Sequence, residues 1–263
     1  MASPLDALDL DANYYVKHSS LQNSLAKTIL SKHSLSPHAH ILDVGCGDGR
    51  ITAELACLAK LGKVIGLDPS PSMIKFASEN FTKAEFPNLD FQLAKAEDVT
   101  FFEQFDLIVS FSCFHWIKNP KKALRQLSAS LKPGGKMLIL TYPKESPYYR
   151  YLDNALKNYP EYSHLSATHT ALSSTEYHST LCQNRLQILS FEQQNLNAFY
   201  NNSQEFKEYI RGWLNSYVCL PECQRDAFLE AVSDAVVRDR SLCKDGKISV
   251  PYITLVIEAC KLL

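Results

Sequence analysis

Short apolar runs alternate with amphipathic stretches over the first half of the chain. Ile41-Leu42-Asp43-Val44 predicts a buried strand, followed by a glycine-rich turn and a helix with apolar positions Ile51, Leu55 and Leu58. Residues 64–68, 89–93, 105–111 and 136–142 predict four more strands. Between them, Pro69-Ser70-Pro71-Ser72 opens a helix with proline at its first turn, and residues 119–131 form a helix stopped by Lys132-Pro133-Gly134-Gly135. Ahead of the first strand, Leu21, Leu25, Ala26, Ile29 and Leu30 share a helical spacing. Continuous apolar strands separated by amphipathic helices imply an α/β fold with a mostly parallel sheet covered on both faces. After residue 143 the pattern loosens. Residues 144–184 are rich in Tyr, Ser, His and Thr without a clean period. Residues 188–199 and 248–259 then predict strands, and 203–217 and 221–238 predict helices.

Composition narrows the class. Of 263 residues, 46% are hydrophobic and 21% charged, which excludes a disordered or fibrous chain. The net charge is −1 and neither half carries a basic excess, which argues against duplex nucleic acid as the main partner. No apolar run approaches the ~18–20 residues of a membrane span. The opening MASPLDALDLDANYY has no basic n-region, so no secretory signal is read there and the expected location is cytoplasmic. The eight Cys fall at irregular spacings without a C-x-x-C, as expected of reduced thiols, and no metal set is read from them.

The glycine loop carries the chemistry. Gly45-Cys46-Gly47-Asp48-Gly49 lies between a strand and a helix, where glycines let the backbone approach a ligand and helix N–H groups face it. A dinucleotide site needs G-x-G-x-x-G and holds a pyrophosphate. Here the spacing is G-x-G-x-G, with Asp43 before the loop and Asp48 within it, and these acids would repel a pyrophosphate. They suit a ligand with an ammonium and no phosphate. Asp68, ending the second strand, suits a ribose diol. An ammonium, a ribose and no phosphate describe S-adenosylmethionine.

ILDVGCGDGR, VIGLDPSPSMIKFA, FDLIVSFSCFHWI and LKPGGKMLIL, in that order over residues 40–142, resemble the class I S-adenosylmethionine-dependent methyltransferases. The resemblance implies a Rossmann-like, seven-stranded, mostly parallel sheet with helices on both faces, a last antiparallel strand and a helical or irregular lid inserted after the fifth strand. It implies an N-terminal capping segment (1–39), a cofactor-binding core (40–142), a lid (143–186) and a C-terminal part completing the sheet (187–263). NYYVKHSSLQNSLAKTIL is similar to the capping segment of malonyl-acyl carrier protein and trans-aconitate methyltransferases. EYIRGWL, AFLEAVSDAV and DGKISVPYITLVIEA look most like the trans-aconitate enzymes, and SFSCFHWI is similar to juvenile hormone acid methyltransferases. All three families methylate a carboxylate oxygen. The implied acceptor is a small-molecule carboxylic acid or an acyl-carrier-bound acid.

For the cofactor, the resemblance implies Gly45, Cys46, Gly47 and Gly49 as the loop, Asp43 at the ammonium, Asp68 and Pro69 at the ribose, Met73 at the adenine, Ser110 at the methionyl part, and Tyr14 and Gln22 closing over it. The family has an acid after the third strand that accepts from the adenine amine. Lys95 stands there and cannot accept, which leaves Glu97, Asp98 or the backbone of Ala96 for that contact. On the acceptor side, His115 and Trp116 follow the fourth strand and Tyr142 follows the fifth. Arg211, matching an arginine of the trans-aconitate pattern, is the candidate to hold a carboxylate bidentately. A carboxylate is already ionised at neutral pH, so no general base is expected, only positioning and exclusion of water. Three alternatives use the same residues: methylation of a lipid-like acceptor, a non-catalytic adenosyl-binding scaffold, and an NAD(P)-dependent oxidoreductase, which the loop spacing disfavours.

Overall fold

Five apolar runs form parallel strands: β1 (His40–Val44), β2 (Lys63–Asp68), β3 (Leu89–Leu93), β4 (Phe105–Phe111) and β5 (Leu131–Thr141). They are seen in a computed structural model that describes residues 9–166, 171–239, 241–244 and 247–263. Three strands follow: β6 (Leu186–Tyr200), the two-residue β7 (Cys243–Lys244) and β8 (Lys247–Lys261). The sheet order is β3-β2-β1-β4-β5-β8-β6, with β7 paired to β8. β8 runs antiparallel to β5, and β6 antiparallel to β8. This is a Rossmann-like fold with seven main strands.

Chain order reverses on either side of β1, whose neighbours are β2 and β4. Such a switch point opens a crevice at the C-terminal strand ends, where open α/β sheets bind ligands. Leu42, Ile65 and Ile108 pack into one apolar layer, and Ile41, Val64 and Val109 into the other, so these strands are buried on both faces. The loop after β1 leads into α3 (Arg50–Leu58), and β2 leads into α4 (Pro71–Asn80), which starts with Pro71 after the Ser70 N-cap.

Four stretches differ from the sequence reading. The N-terminal segment is two helices, α1 (Ala12–His18) and α2 (Ser20–Leu30), broken at Ser19, whose hydroxyl accepts from Arg50 Nη2 at 2.7 Å. α5 (Pro120–Ser130) stops one residue early, because Leu131 already pairs with Phe105 and the Gly134 turn lies within β5. The segment read as aperiodic contains α6 (Tyr149–Leu156), a 3-10 turn (Pro160–Leu165) and α7 (Ser174–Gln183), part of it lying outside the described residues. A capping box starts α7: Ser173 accepts from the Glu176 N–H, and the Glu176 carboxylate from the Ser173 N–H. The stretch 203–217 splits into α8 (Ser203–Trp213) and α9 (Asn215–Cys219) at the fully buried, extended Leu214. α10 (Glu222–Arg238) then packs on α6 and α8. Together with the far ends of β6 and β8, these helices enclose a second, aromatic-rich core beside the crevice. No described helix is long and apolar enough to cross a membrane.

Candidate active site

The loop after β1 is shaped by close approach. Gly45 has φ +75°, and its N–H and that of Cys46 both donate to the Leu67 carbonyl at 2.8 and 2.9 Å. A Cβ on Gly45 would lie 2.3 Å from Cys113 Sγ at the end of β4. At Gly47 (φ +52°) a Cβ would meet nothing closer than Tyr15 Cε1 at 3.8 Å, so this turn presents bare backbone to the space beside it. Gly49 and Cys46 do not line that space. Gly49 is pressed by Ala77 and Phe91, and Cys46 packs beneath the loop against Gly66.

The three acids of the loop region have separate partners. Asp68 accepts from the Gly47 N–H at 3.0 Å and the Ser70 N–H at 2.9 Å, and faces the crevice. Burial holds its carboxyl up at about 6 against these two bonds. Asp48 is taken by Arg50, which also reaches Ser19 and ties the helix pair α1–α2 to the loop. Asp43 lies behind the loop, outside the cavity lining, and accepts from Thr52 Oγ1 at 2.7 Å. Burial pushes it up to about 7, with Asp68 and Asp48 adding in the same direction.

The raised Asp43 value has a consequence for stability. A carboxyl that protonates more readily folded than unfolded stabilises the fold at low pH, and that contribution is lost as pH rises through about 7. Asp43→Asn keeps an acceptor for Thr52 and removes the charge. At pH 8, without cofactor, it is expected to raise the unfolding free energy by on the order of 2 kcal/mol, with the gain fading by pH 5. Thermal melts at the two pH values check this, and a variant less stable than wild type at pH 8 would contradict it.

The crevice opens into a cavity of about 1210 Å³, counting its mouth. One half is walled by Gly45, Gly47, Asp68, Pro69, Met73 and Cys113. The other half is aromatic, with His115, Trp116, Tyr142, Tyr200, Trp213 and Tyr252 among its walls. His115 meets Trp116 at 4.7 Å and Tyr142 at 4.8 Å between ring centroids, and burial lowers its imidazole to about 3, so it is neutral. Tyr142 shares a 3.3 Å hydrogen bond with Ser112, and burial pushes its phenol up to about 12. Gln22 closes one side. Its Nε2 donates to the Tyr209 hydroxyl at 3.3 Å, and its Oε1 is buried with no partner among the described residues. Of the described lining residues, Asp68 alone carries a formal charge.

Several expected site residues lie elsewhere. Tyr14 does not line the cavity. It stacks on His18 at 4.1 Å and donates to the Glu208 carbonyl, while its neighbour Tyr15 faces the Gly47 turn. Ser110 is buried with its hydroxyl on the Val44 carbonyl at 2.8 Å, and Ser112, two residues on at φ +55°, lines the cavity instead. Ala96 packs in the core. Glu97 accepts from the Asn119 N–H and Asp98 from Lys122, so both serve the start of α5 rather than the crevice. Arg211 is exposed, its guanidinium 4.8 Å above the Tyr14 ring. The face of α8 that lines the cavity is Phe206, Tyr209, Ile210 and Trp213, a helical spacing that Arg211 does not share.

Residues 35–209, more than half of the chain, match the methyltransferase domain model, and the chain belongs to that family. A malonyl-[acyl-carrier protein] O-methyltransferase of Paenibacillus sp. (strain JDR-2) is 31% identical over 140 residues, covering 50% of this chain and 51% of that protein. The juvenile hormone acid O-methyltransferase of Drosophila melanogaster is 27% identical over 244 residues, covering 84% of this chain and 80% of that protein. Among solved structures, the YcgJ protein of Bacillus subtilis superposes with TM-score 0.65 at 19% identity, over 92% of this chain and 99% of that one. The match spans about half the length of the first curated relatives.

Proposed function

We propose that this protein is an S-adenosylmethionine-dependent methyltransferase acting on a carboxylate oxygen of a small, largely apolar monocarboxylic acid. The Gly47 turn, bare where a Cβ would intrude, and the Asp68 carboxylate facing the same space fit an adenosyl ligand. Asp68 would hold the ribose hydroxyls, Met73 and Pro69 would wall the adenine, and the unpartnered Gln22 Oε1 would accept from the ammonium. When bound, S-adenosylmethionine supplies an electrophilic methyl on a positively charged sulfur.

The observation that carries the substrate class is the lack of any lysine or arginine among the described residues lining the cavity. Leaving several buried carboxylates unpaired costs several kcal/mol each, so a tricarboxylate such as trans-aconitate does not suit this wall. A single carboxylate with an apolar body does. A neutral wall also suits the chemistry. The acceptor loses its negative charge as it reacts, so an arginine would stabilise the reactant more than the transition state and raise the barrier. His115 and Trp116 position the acceptor and exclude water, and because the carboxylate is already ionised no protein group has to take a proton. The helix pair α1–α2 serves as the cap of this cavity, and α6 with the residues leading into it as its lid. The names of the malonyl-acyl carrier protein and juvenile hormone acid relatives support a carboxylate acceptor. The aromatic wall favours a free apolar acid over a malonyl group.

The test is methyl-ester formation, measured by mass spectrometry, from the saturated acids octanoate to tetradecanoate and from trans-aconitate. The preferred monoacid is expected to exceed trans-aconitate at least about 100-fold in kcat/KM, the cost of two unpaired buried charges. Preference for trans-aconitate would contradict the substrate class.

A further inference from the structure

Among the tyrosines that line the aromatic half of the cavity are Tyr142, Tyr200, Tyr209 and Tyr252, each with a hydroxyl. Two of these hydroxyls are engaged, Tyr142 with Ser112 and Tyr209 with Gln22. Those of Tyr200 and Tyr252 have no hydrogen-bond partner among the described residues and are not sealed from solvent, so they stand open to the cavity. A hydroxyl that opens on the cavity and is not used by the protein can donate to a bound ligand, which phenylalanine in the same place could not do.

The fold holds the pair firmly. Tyr200 closes β6 and Tyr252 lies in β8, neighbouring antiparallel strands in continuous register, with Tyr200 opposite Ile248 and Leu196 opposite Tyr252. Their rings are fixed by packing. Tyr200 lies 5.4 Å from Tyr209 and 5.1 Å from Phe206, and Tyr252 lies 6.0 Å from Tyr142. Tyr142 in turn meets His115, so Tyr252 stands one ring away from the end of β4. Arg211, the cation expected to hold a carboxylate, does not reach the cavity.

We infer that Tyr200 and Tyr252 hold the acceptor's carboxylate, each hydroxyl donating to it, and so make this site selective for an acid. The inference rests on the methyltransferase reading above. Two neutral donors keep the carboxylate oriented without the strong reactant stabilisation an ion pair would bring. They also give a sheet-borne site, fixed by strands rather than by a loop.

The test compares wild type with Tyr200→Phe, Tyr252→Phe and the double variant, titrated with dodecanoate and with dodecan-1-ol in the presence of S-adenosylhomocysteine. Each single variant is expected to weaken dodecanoate about tenfold, the usual effect of losing a hydrogen bond to a charged group, and the double variant more. Dodecan-1-ol and S-adenosylhomocysteine affinities should change less than about threefold, since neither ligand brings a charge to these hydroxyls. In turnover, KM for dodecanoate should rise with kcat nearly unchanged. Equal weakening of the acid and the alcohol would assign the pair to packing and overturn the inference, as would unchanged dodecanoate binding in both variants. A wild type that binds the adenosyl ligand but neither binds nor methylates any saturated acid would overturn the substrate class itself, and this inference with it.

Discussion

Asp68→Ala is expected to weaken S-adenosylhomocysteine binding at least about 100-fold, with methyl transfer falling in step. Asp68 has two roles. Its oxygens accept from the Gly47 and Ser70 N–H groups, tying the glycine turn to the start of α4. It also presents the one charged group among the described residues of the cavity wall. Alanine removes the acceptor for both hydroxyls of a ribose diol, each hydrogen bond to the charged group being worth about 1.5–3 kcal/mol, and it frees the two backbone donors that hold the turn in place. Together these exceed the ~3 kcal/mol that corresponds to 100-fold in affinity. Asp68→Asn keeps one acceptor oxygen but turns an amide toward the other N–H, so an intermediate loss is expected. The wild type should also bind more weakly as pH falls through about 6, where burial has raised this carboxyl and a proton competes with the ligand's hydroxyls. The alanine variant should lose that step. Calorimetric titration from pH 5 to 8 reads both effects. Affinity within about threefold of wild type across that range would mean that Asp68 does not touch the ligand.

The parts of this site that were legible in the sequence are those fixed by short stretches of backbone. Ile41–Val44, the glycines and the Asp68-Pro69-Ser70 turn follow from a strand meeting a helix, and local sequence determines such junctions. Pro69 and Met73 line the cavity because the helix that Ser70 caps starts beside it. What sequence could not reach was the facing of single side chains. Tyr14 and Tyr15 are neighbours on α1, about 100° apart around the helix, and the seat of α1 on Gly212 decides which one faces the crevice. A Cβ on Gly212 would lie 3.2 Å from the His18 Cβ, so the approach of these helices is set by the absence of a side chain. Arg211 and Trp213 illustrate the same point on α8, although there the spacing of Phe206, Ile210 and Trp213 was a signal available in the sequence. Glu97 and Asp98 are drawn to Asn119 and Lys122 by the placing of α5, a tertiary fact. Tyr200 and Tyr252 share one face of the β6–β8 ladder, four residues apart along it, and that register joins residues far apart in the chain.

Gly45→Ala should be nearly as damaging, and a second substitution should rescue part of the loss. Alanine at φ +75° costs about 1–2 kcal/mol in backbone strain wherever it occurs. At this position its Cβ would also fall 2.3 Å from Cys113 Sγ and 2.5 Å from Cys113 Cβ. Turning the Cys113 side chain moves the sulfur but not the Cβ, so either the loop or the end of β4 must shift. A shifted loop gives up the Gly45 and Cys46 hydrogen bonds to the Leu67 carbonyl and withdraws the Gly47 turn from the cavity. Adenosyl-ligand affinity is therefore expected to fall about 100-fold or more. Cys113→Gly removes both clashing atoms and leaves only main chain near the new methyl, its nearest atom 3.8 Å away at ordinary packing distance. In that background Gly45→Ala should cost only its backbone strain, and affinity should fall by no more than about tenfold. The difference between the two losses is a coupling energy, read by a double-mutant cycle on ligand binding. Equal losses in both backgrounds would mean that backbone strain alone, and not the seat against Cys113, sets the requirement for glycine at this turn.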